Sequence, residues 1–256
     1  MTRRNIDLNA DLGEGFGAWR MGDDAALLDI VTSANVACGF HAGDPDIMVE
    51  TASAAQARGV AIGAHPGFFD VRGLGRTPIR ETPRRIERDV AYQIGALQAC
   101  AALAGTRVTY VKAHGALANL ANAEDDIAEA VARAVAGVDR SLAFVVMPGL
   151  PAERAGLRAG LRTIREIYAD RAYADDGSLA PRSAPGAVLH DARDIATRVR
   201  RMVEDGAATT LSGRRIPVGI DTVCVHGDNP GAVEAARAVR AELEAAGLVL
   251  APFAPY

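Results

Sequence analysis

Three observations predict an α/β fold in which parallel strands close into a (β/α) barrel. Short apolar runs alternate with Ala-rich amphipathic runs almost to the end of the 256-residue chain. Parallel strands joined by crossover helices produce that rhythm. Seven or eight such units fit the length, which suits a barrel better than an open doubly wound sheet. No linker divides the chain, so one domain covering residues 1–256 is expected.

The strands read, in order, Asn5–Asp11, Ala34–Gly39, Val60–Ala64, Val108–Ala113, Leu142–Met147, Thr163–Ile167 and Thr222–His226, with a short last one at Leu248–Pro252. Asp44-Pro45 and Thr82-Pro83 each pair a helix cap with a proline suited to the first helical position, and Asp191 and Asn229-Pro230 open later helices in the same way. Gly59, Gly105, Gly160 and Gly247 stand where a helix should stop. Two segments break the rhythm, the Gly-rich stretch Pro66–Arg80 and the loop Tyr168–Leu189, and long loops in a compact domain often carry function. A small hairpin is expected around Thr209–Pro217, turning at Ser212-Gly213.

Composition narrows the function classes. With 49% hydrophobic residues the chain can bury a full core. A formal charge of −4 without a basic cluster argues against nucleic acid as a partner. The start shows no apolar signal region, and no apolar run approaches the ~20 residues that span a bilayer. Cys38, Cys100 and Cys224 are odd in number and widely spaced, which fits reduced thiols in a cytoplasmic protein.

The first strand carries the first chemical signal. Strand alternation puts Ile6, Leu8, Ala10 and Leu12 on one face and Asp7, Asn9 and Asp11 on the other. If the apolar set packs under helices, two carboxylates and an amide enter the barrel, where they need partners. His41, His65, His114 and His226 follow the second, third, fourth and seventh strands, at the carboxyl ends where barrel active sites form. His190, beside a helix cap, lacks that placement. Lys112 is the only lysine among 28 basic residues, which suggests a need for a compact ammonium that a guanidinium cannot replace. Glu166, Asp170 and Arg171 end the sixth strand, and Arg171 can fork onto a carboxylate. Asp44 and Asp228 follow His41 and His226 closely, as caps or site residues. Gly13–Gly17, with Glu14 inside it, can hold an anion on backbone N–H groups but lacks a P-loop lysine.

The catalytic candidates are therefore Asp7, Asp11, His65, Lys112 and His114. The substrate-binding candidates are Asn9, Glu14, His41, Asp44, Glu166, Asp170, Arg171, His226 and Asp228. Asp11, His41 and His65 are also candidate metal ligands, with the need for a divalent metal left open.

Read together, Ile6–Trp19, Thr32–Pro45, Gly59–Asp70, Val111–Leu117, Tyr168–Tyr173 and Val223–Ala232 resemble the LamB/YcsF family. The resemblance implies a (β/α)7-type, TIM-like barrel of the glycoside hydrolase/deacetylase kind. It further implies ATP-dependent hydrolysis of 5-oxo-L-proline to L-glutamate, ATP as co-substrate, and partner subunits B and C. Within that reaction Lys112 and His114 are expected to stabilise or protonate the reacting oxygen and nitrogen. Asp11 or Asp7 would orient or deprotonate water, and Arg171 or the Gly13–Gly17 backbone would hold the substrate carboxylate. The chain departs from the family pattern at Ala113 and Ala118, where Pro and Tyr are usual, and at Thr77, where an arginine is usual. Two other readings stay open: a metal-dependent deacetylase or amidohydrolase acting alone, and a non-catalytic subunit that binds a small acid.

Overall fold

The computed structural model describes residues 5–227 and 231–254. Its strands are β1 (Asn5–Leu12), β2 (Ser33–Ala37), β3 (Ala61–His65), β4 (Val108–Lys112), β5 (Ala143–Val146), β6 (Thr163–Tyr168), β7 (Ala207–Thr209), β8 (Arg215–Pro217), β9 (Thr222–Val225) and β10 (Val249–Leu250). The helices are α1 (Asp24–Leu28), α2 (Pro45–Ala57), α3 (Pro83–Leu103), α4 (Gly115–Ala123), α5 (Asp125–Val138), α6 (Pro151–Arg158), α7 (Ala192–Asp205) and α8 (Ala232–Ala245).

Strands β1 to β6 and β9 pair in parallel, and β1 meets both β2 and β9, which closes a seven-stranded barrel inside a ring of helices. The expected eighth strand is not a stave of it. β10 pairs only with Asn5 and Ile6, at the amino-terminal start of β1. The expected hairpin forms as antiparallel β7 and β8. It leans on the long loop after β6, where Leu211 N–H donates to Tyr173 O and Asp175 accepts from Thr210 and Ser212.

Alternation explains how the strands sit. Ile6, Leu8, Ala10 and Leu12 join the main apolar core between sheet and helices, while Asp7, Asn9 and Asp11 face the interior. Below the polar groups the barrel is filled by Ala61, Tyr110, Ala143, Val145 and Ile164, with Phe253 packed against them. Gly63 makes this possible. A Cβ there would stand 2.0 Å from the Tyr110 ring, so only glycine lets that ring lie across the barrel. From that position Tyr110 donates its hydroxyl to Asn35 Oδ1 at 2.8 Å.

The helix starts follow the caps read from sequence. Asp44 accepts from the N–H groups of Asp46 and Ile47, Thr82 from Arg85, and Asp191 from Arg193 and Asp194. Asn229-Pro230 and Asp228 lie outside the described residues. All three cysteines are free thiols. Among the described residues no helix is long and apolar enough to cross a membrane.

Candidate active site

The interior face of the barrel carries a continuous polar network that climbs from β1 toward the carboxyl ends of the strands. At its lower end Asp7 Oδ1 accepts from Thr32 and Ser33 hydroxyls at 2.6 Å each, and Asp7 also accepts from Thr222. Burial dominates there and pushes the Asp7 carboxyl up to about 6, against the lowering effect of those hydroxyls. One layer up, Asn9 Nδ2 donates to Glu166 Oε1 at 3.0 Å and to Thr222 Oγ1 at 2.7 Å. Asn35 Nδ2 donates to Asn9 Oδ1 at 2.7 Å and to Asp11 Oδ1 at 2.8 Å.

Lys112 occupies the centre. Its ammonium lies 3.1 Å from Asp11 Oδ1 and 3.0 Å from Glu166 Oε1, and it donates to Asn9 Oδ1 and to Cys224 Sγ. Burial works against the charged form, but Asp11, Cys224 and Glu166 outweigh it and hold Lys112 well above the ordinary lysine range. Lys112 therefore keeps its positive charge at neutral pH. Asp11 responds in kind. Burial would lift its carboxyl, yet His65 and Lys112 keep it well below the usual range.

Three histidines stand beside this pair. His65 ends β3, and His114 takes the cap position of α4 without using its side chain as the cap. His65 Nδ1–H donates to Lys112 O and His114 Nε2–H donates to Leu74 O, each at 2.8 Å, because a carbonyl oxygen can only accept. The remaining nitrogens, His65 Nε2 and His114 Nδ1, face each other at 2.9 Å. His41 stacks on His114 with ring centroids 3.8 Å apart. Burial, followed by neighbouring His65, brings His114 down to about 3; burial and both other rings push His41 well below its ordinary value. The loop over these rings needs Gly75, at φ +65°, where a Cβ would meet His114 and His41 within 2.8 Å.

Across the barrel mouth His226 Nδ1 bonds both oxygens of Asp170, at 2.8 and 2.9 Å, and its ring stacks on Tyr168. Burial raises the Asp170 carboxyl, and His226, a backbone hydrogen bond and Arg182 together more than reverse the effect. A carboxylate on Nδ1–H leaves Nε2 of His226 to accept a proton, the geometry of a carboxylate-backed general base.

These groups border a cavity of about 250 Å³. Of the sequence candidates, Asp11, His65, Lys112, His114, Arg171 and His226 line it. Asn9 and Glu166 hold Lys112 from below, Asp170 holds His226 from behind, and His41 and Glu14 lie behind His114. Two candidates fall outside. Asp7 is enclosed by Thr32, Ser33 and Thr222 two residues below Asn9, too deep for a substrate to touch. Asp44 caps α2 and accepts from Gly17 N–H on the exposed side of the Gly13–Gly17 turn. Asp228 lies outside the described residues, and His190 is exposed on the surface.

Arg76, Tyr168 and Arg182 also line the cavity and are missing from the sequence candidates. Tyr168 shares the inward face of β6 with Glu166, so alternation could have found it; Arg76 and Arg182 sit on the two long loops. Arg171 donates through one terminal nitrogen to Ala180 O at 2.7 Å, and its buried Nε has no hydrogen-bond partner among the described residues. Ala113 and Ala118 are in the cavity wall as well, so the departures there bear directly on its shape. Thr77 does not line it; its N–H donates to Asp70 instead.

A family model described as the LamB/YcsF family matches residues 6–256. The A subunit of 5-oxoprolinase from Rhodopseudomonas palustris (strain BisB5) is 60% identical over 250 residues, covering 97% of this chain and 98% of the relative. The crystal structure of a lactam utilization protein from Thermus thermophilus superposes with a TM-score of 0.92 at 44% identity, covering 97% of this chain and 100% of that one. The catalytic domain of a peptidoglycan N-acetylglucosamine deacetylase from Eubacterium rectale matches with a TM-score of 0.53 at 12% identity, over 98% of this chain and 89% of that one. That last likeness is one of fold alone, and it places the barrel among those of the deacetylase kind.

Proposed function

The chain belongs to the LamB/YcsF family, and on that premise we propose that it is the A component of a 5-oxoprolinase. In this reading it works with partner subunits B and C to open 5-oxo-L-proline to L-glutamate while ATP is cleaved to ADP and phosphate. The observation that carries the reading is the meeting, in one small cavity, of the Lys112 ammonium, the Asp170-backed imidazole of His226 and the guanidinium groups of Arg76, Arg171 and Arg182.

An unstrained lactam resists water because its nitrogen donates into the carbonyl and leaves poorly. Phosphorylation of the lactam oxygen by ATP removes that protection. Water then adds to the ring carbon, the carbon–nitrogen bond breaks as the nitrogen takes up a proton, and a second water releases phosphate from the resulting acyl phosphate. Each group has a place in this sequence. His226 takes the proton of the attacking water. Lys112 stands where negative charge gathers on the oxygens of the reacting carbon, and a fixed charge already in place needs no reorganisation. The arginines hold the substrate carboxylate, with the Arg171 fork the most enclosed of the three. Asp11 is a weaker choice of base than His226, because its Oδ1 already accepts from Lys112 and Asn35.

The cavity is smaller than the ~300–1,000 Å³ of sites that enclose drug-sized ligands. It suits a five-membered cyclic acid, and a whole nucleotide would need surface from another component of the complex. Reconstitution tests the proposal: the chain, with co-expressed partner subunits, is given 5-oxo-L-proline and ATP, and glutamate and ADP are measured. Glutamate should form only when all components are present. Product from the chain alone without ATP, or from the partners without the chain, would overturn the reading.

A further inference from the structure

The two imidazoles at His65 and His114 are arranged in a way that the lactam chemistry above does not use. Each gives one N–H to a backbone carbonyl, Lys112 O or Leu74 O, which turns the other nitrogen inward as a lone pair. Histidines that bind metals are commonly fixed in this manner by a backbone acceptor on the far nitrogen. The two inward nitrogens stand 2.9 Å apart, and two lone pairs at that distance require a positive charge between them.

Carboxylates complete the set. Asp11 Oδ1 is 3.3 Å from His65 Nε2, and Glu14 Oε1 is 3.6 Å from His114 Nδ1. The four ligand atoms all lie within 4.8 Å of one another, and all four residues are buried. Ligand atoms held ~2.1 Å from one ion stand ~3.0 Å apart in octahedral and ~3.4 Å in tetrahedral geometry, so these separations need little adjustment.

A separate observation points to the same spot. His41 is fully buried, and neither of its ring nitrogens has a hydrogen-bond partner among the described residues. Its Nε2 lies 3.7 Å from Glu14 Oε1, directed at the cluster. A buried polar group without a protein partner calls for a bound water or ion. The neighbouring trio Asp11, Cys224 and His226 is less apt, since Cys224 Sγ already accepts from Lys112.

We propose that Asp11, Glu14, His65 and His114 bind one divalent first-row transition-metal ion, with His41 beside it as a further nitrogen donor. Two imidazoles with two carboxylates select Zn2+ or Mn2+ over the oxygen-seeking Mg2+ and Ca2+. The ion would fix the wall of the cavity opposite His226 and set the position of Asp11 against Lys112.

The test uses the full-length, tag-free chain, stripped with a chelator and titrated calorimetrically with Zn2+, with Mn2+ followed in parallel by pulsed electron paramagnetic resonance. One ion per chain is expected, with nitrogen modulation from two imidazoles. Glu14→Gln and His114→Ala, confirmed folded by circular dichroism, should each weaken binding at least ~10-fold, while His190→Ala at the surface should not. No saturable uptake by the unsubstituted chain, no imidazole modulation, or uptake indifferent to both substitutions would overturn the proposal and leave a proton shared by His65 and His114. None of these readouts depends on lactam turnover, so this site and the 5-oxoprolinase reading can fail separately.

Discussion

Replacing Lys112 with Met removes a charge and keeps an unbranched side chain of similar length. Lys112 is only 3% exposed, and its ammonium is within 3.1 Å of both Asp11 and Glu166. Taking one partner from a buried ion pair leaves the others uncompensated and costs about 3–5 kcal/mol. At ~2–4 °C per kcal/mol for a domain of this size, Tm should fall by ~6–20 °C. The pH dependence gives a sharper signature. Asp11, with its carboxyl held below the ordinary 3.8, adds stability above that value and loses it as pH falls through the folded value. Lys112, held above the ordinary 10.5, adds stability below that value and loses it as pH rises through the folded value. The pair is therefore fully in force from about pH 5 to about pH 9. In Lys112→Met the bare carboxylates regain protons on acidification, so the Tm gap to the unsubstituted chain should be wide near pH 8 and narrower near pH 5. Thermal unfolding followed by circular dichroism at both pH values measures it. A gap of a degree or two, or one indifferent to pH, would refute the assignment of Lys112 as the charge that holds the barrel interior together.

Other expectations follow from the same geometry. Asp7→Asn should leave glutamate formation intact, because Asp7 does not line the candidate cavity. It should also remove a pH-dependent penalty: the folded carboxyl titrates at about 6 and the unfolded one at 3.8, so the unsubstituted chain loses stability as pH climbs between them. Melting curves should show it losing ground to Asp7→Asn from about pH 4 to about pH 7. Arg171→Ala should raise KM for 5-oxoproline ~10- to 100-fold with a smaller effect on kcat, as expected for lost carboxylate binding; an unchanged KM would place the carboxylate elsewhere. Gly63→Ala should cost more than the ~1–3 kcal/mol of ordinary overpacking, since its Cβ would overlap the Tyr110 ring, and Tyr110→Ala in the same chain should relieve part of that cost. Strict additivity of the two in denaturant melts would contradict the packing described.

Much of this architecture is legible in residue pattern because local rules and tertiary demands coincide. The alternation Asp7, Asn9, Asp11 against Ile6, Leu8, Ala10, Leu12 works only if one face meets helices and the other a polar interior, and the barrel supplies both. The lone lysine is the centre of that interior. The histidines at strand ends converge because parallel strands all deliver their carboxyl ends to one rim. What the pattern does not resolve is depth. Asp7 and Asp11 lie on the same strand face, yet one carboxylate is tied into Thr32, Ser33 and Thr222 beneath the Asn9 layer and the other borders the cavity. Leu248–Pro252 has strand composition, whereas pairing with Asn5 and Ile6 alone keeps it at the barrel's end. Arg76 and Arg182 lie on irregular loops, where no periodicity says which way a side chain turns. The Asp170–His226 pair joins residues 56 apart in sequence, and only the closure of β6 against β9 brings them together.

In the proposed reading His226, Lys112 and the arginines serve one reaction in one cavity. That reading is tested most directly by the rate of glutamate release from 5-oxo-L-proline and ATP, with partner subunits at fixed concentration and this chain either unsubstituted or carrying His226→Asn. Loss of the base should lower kcat by ~10²–10⁴ while the complex still assembles. Turnover at the unsubstituted rate by an assembled His226→Asn complex would contradict the account.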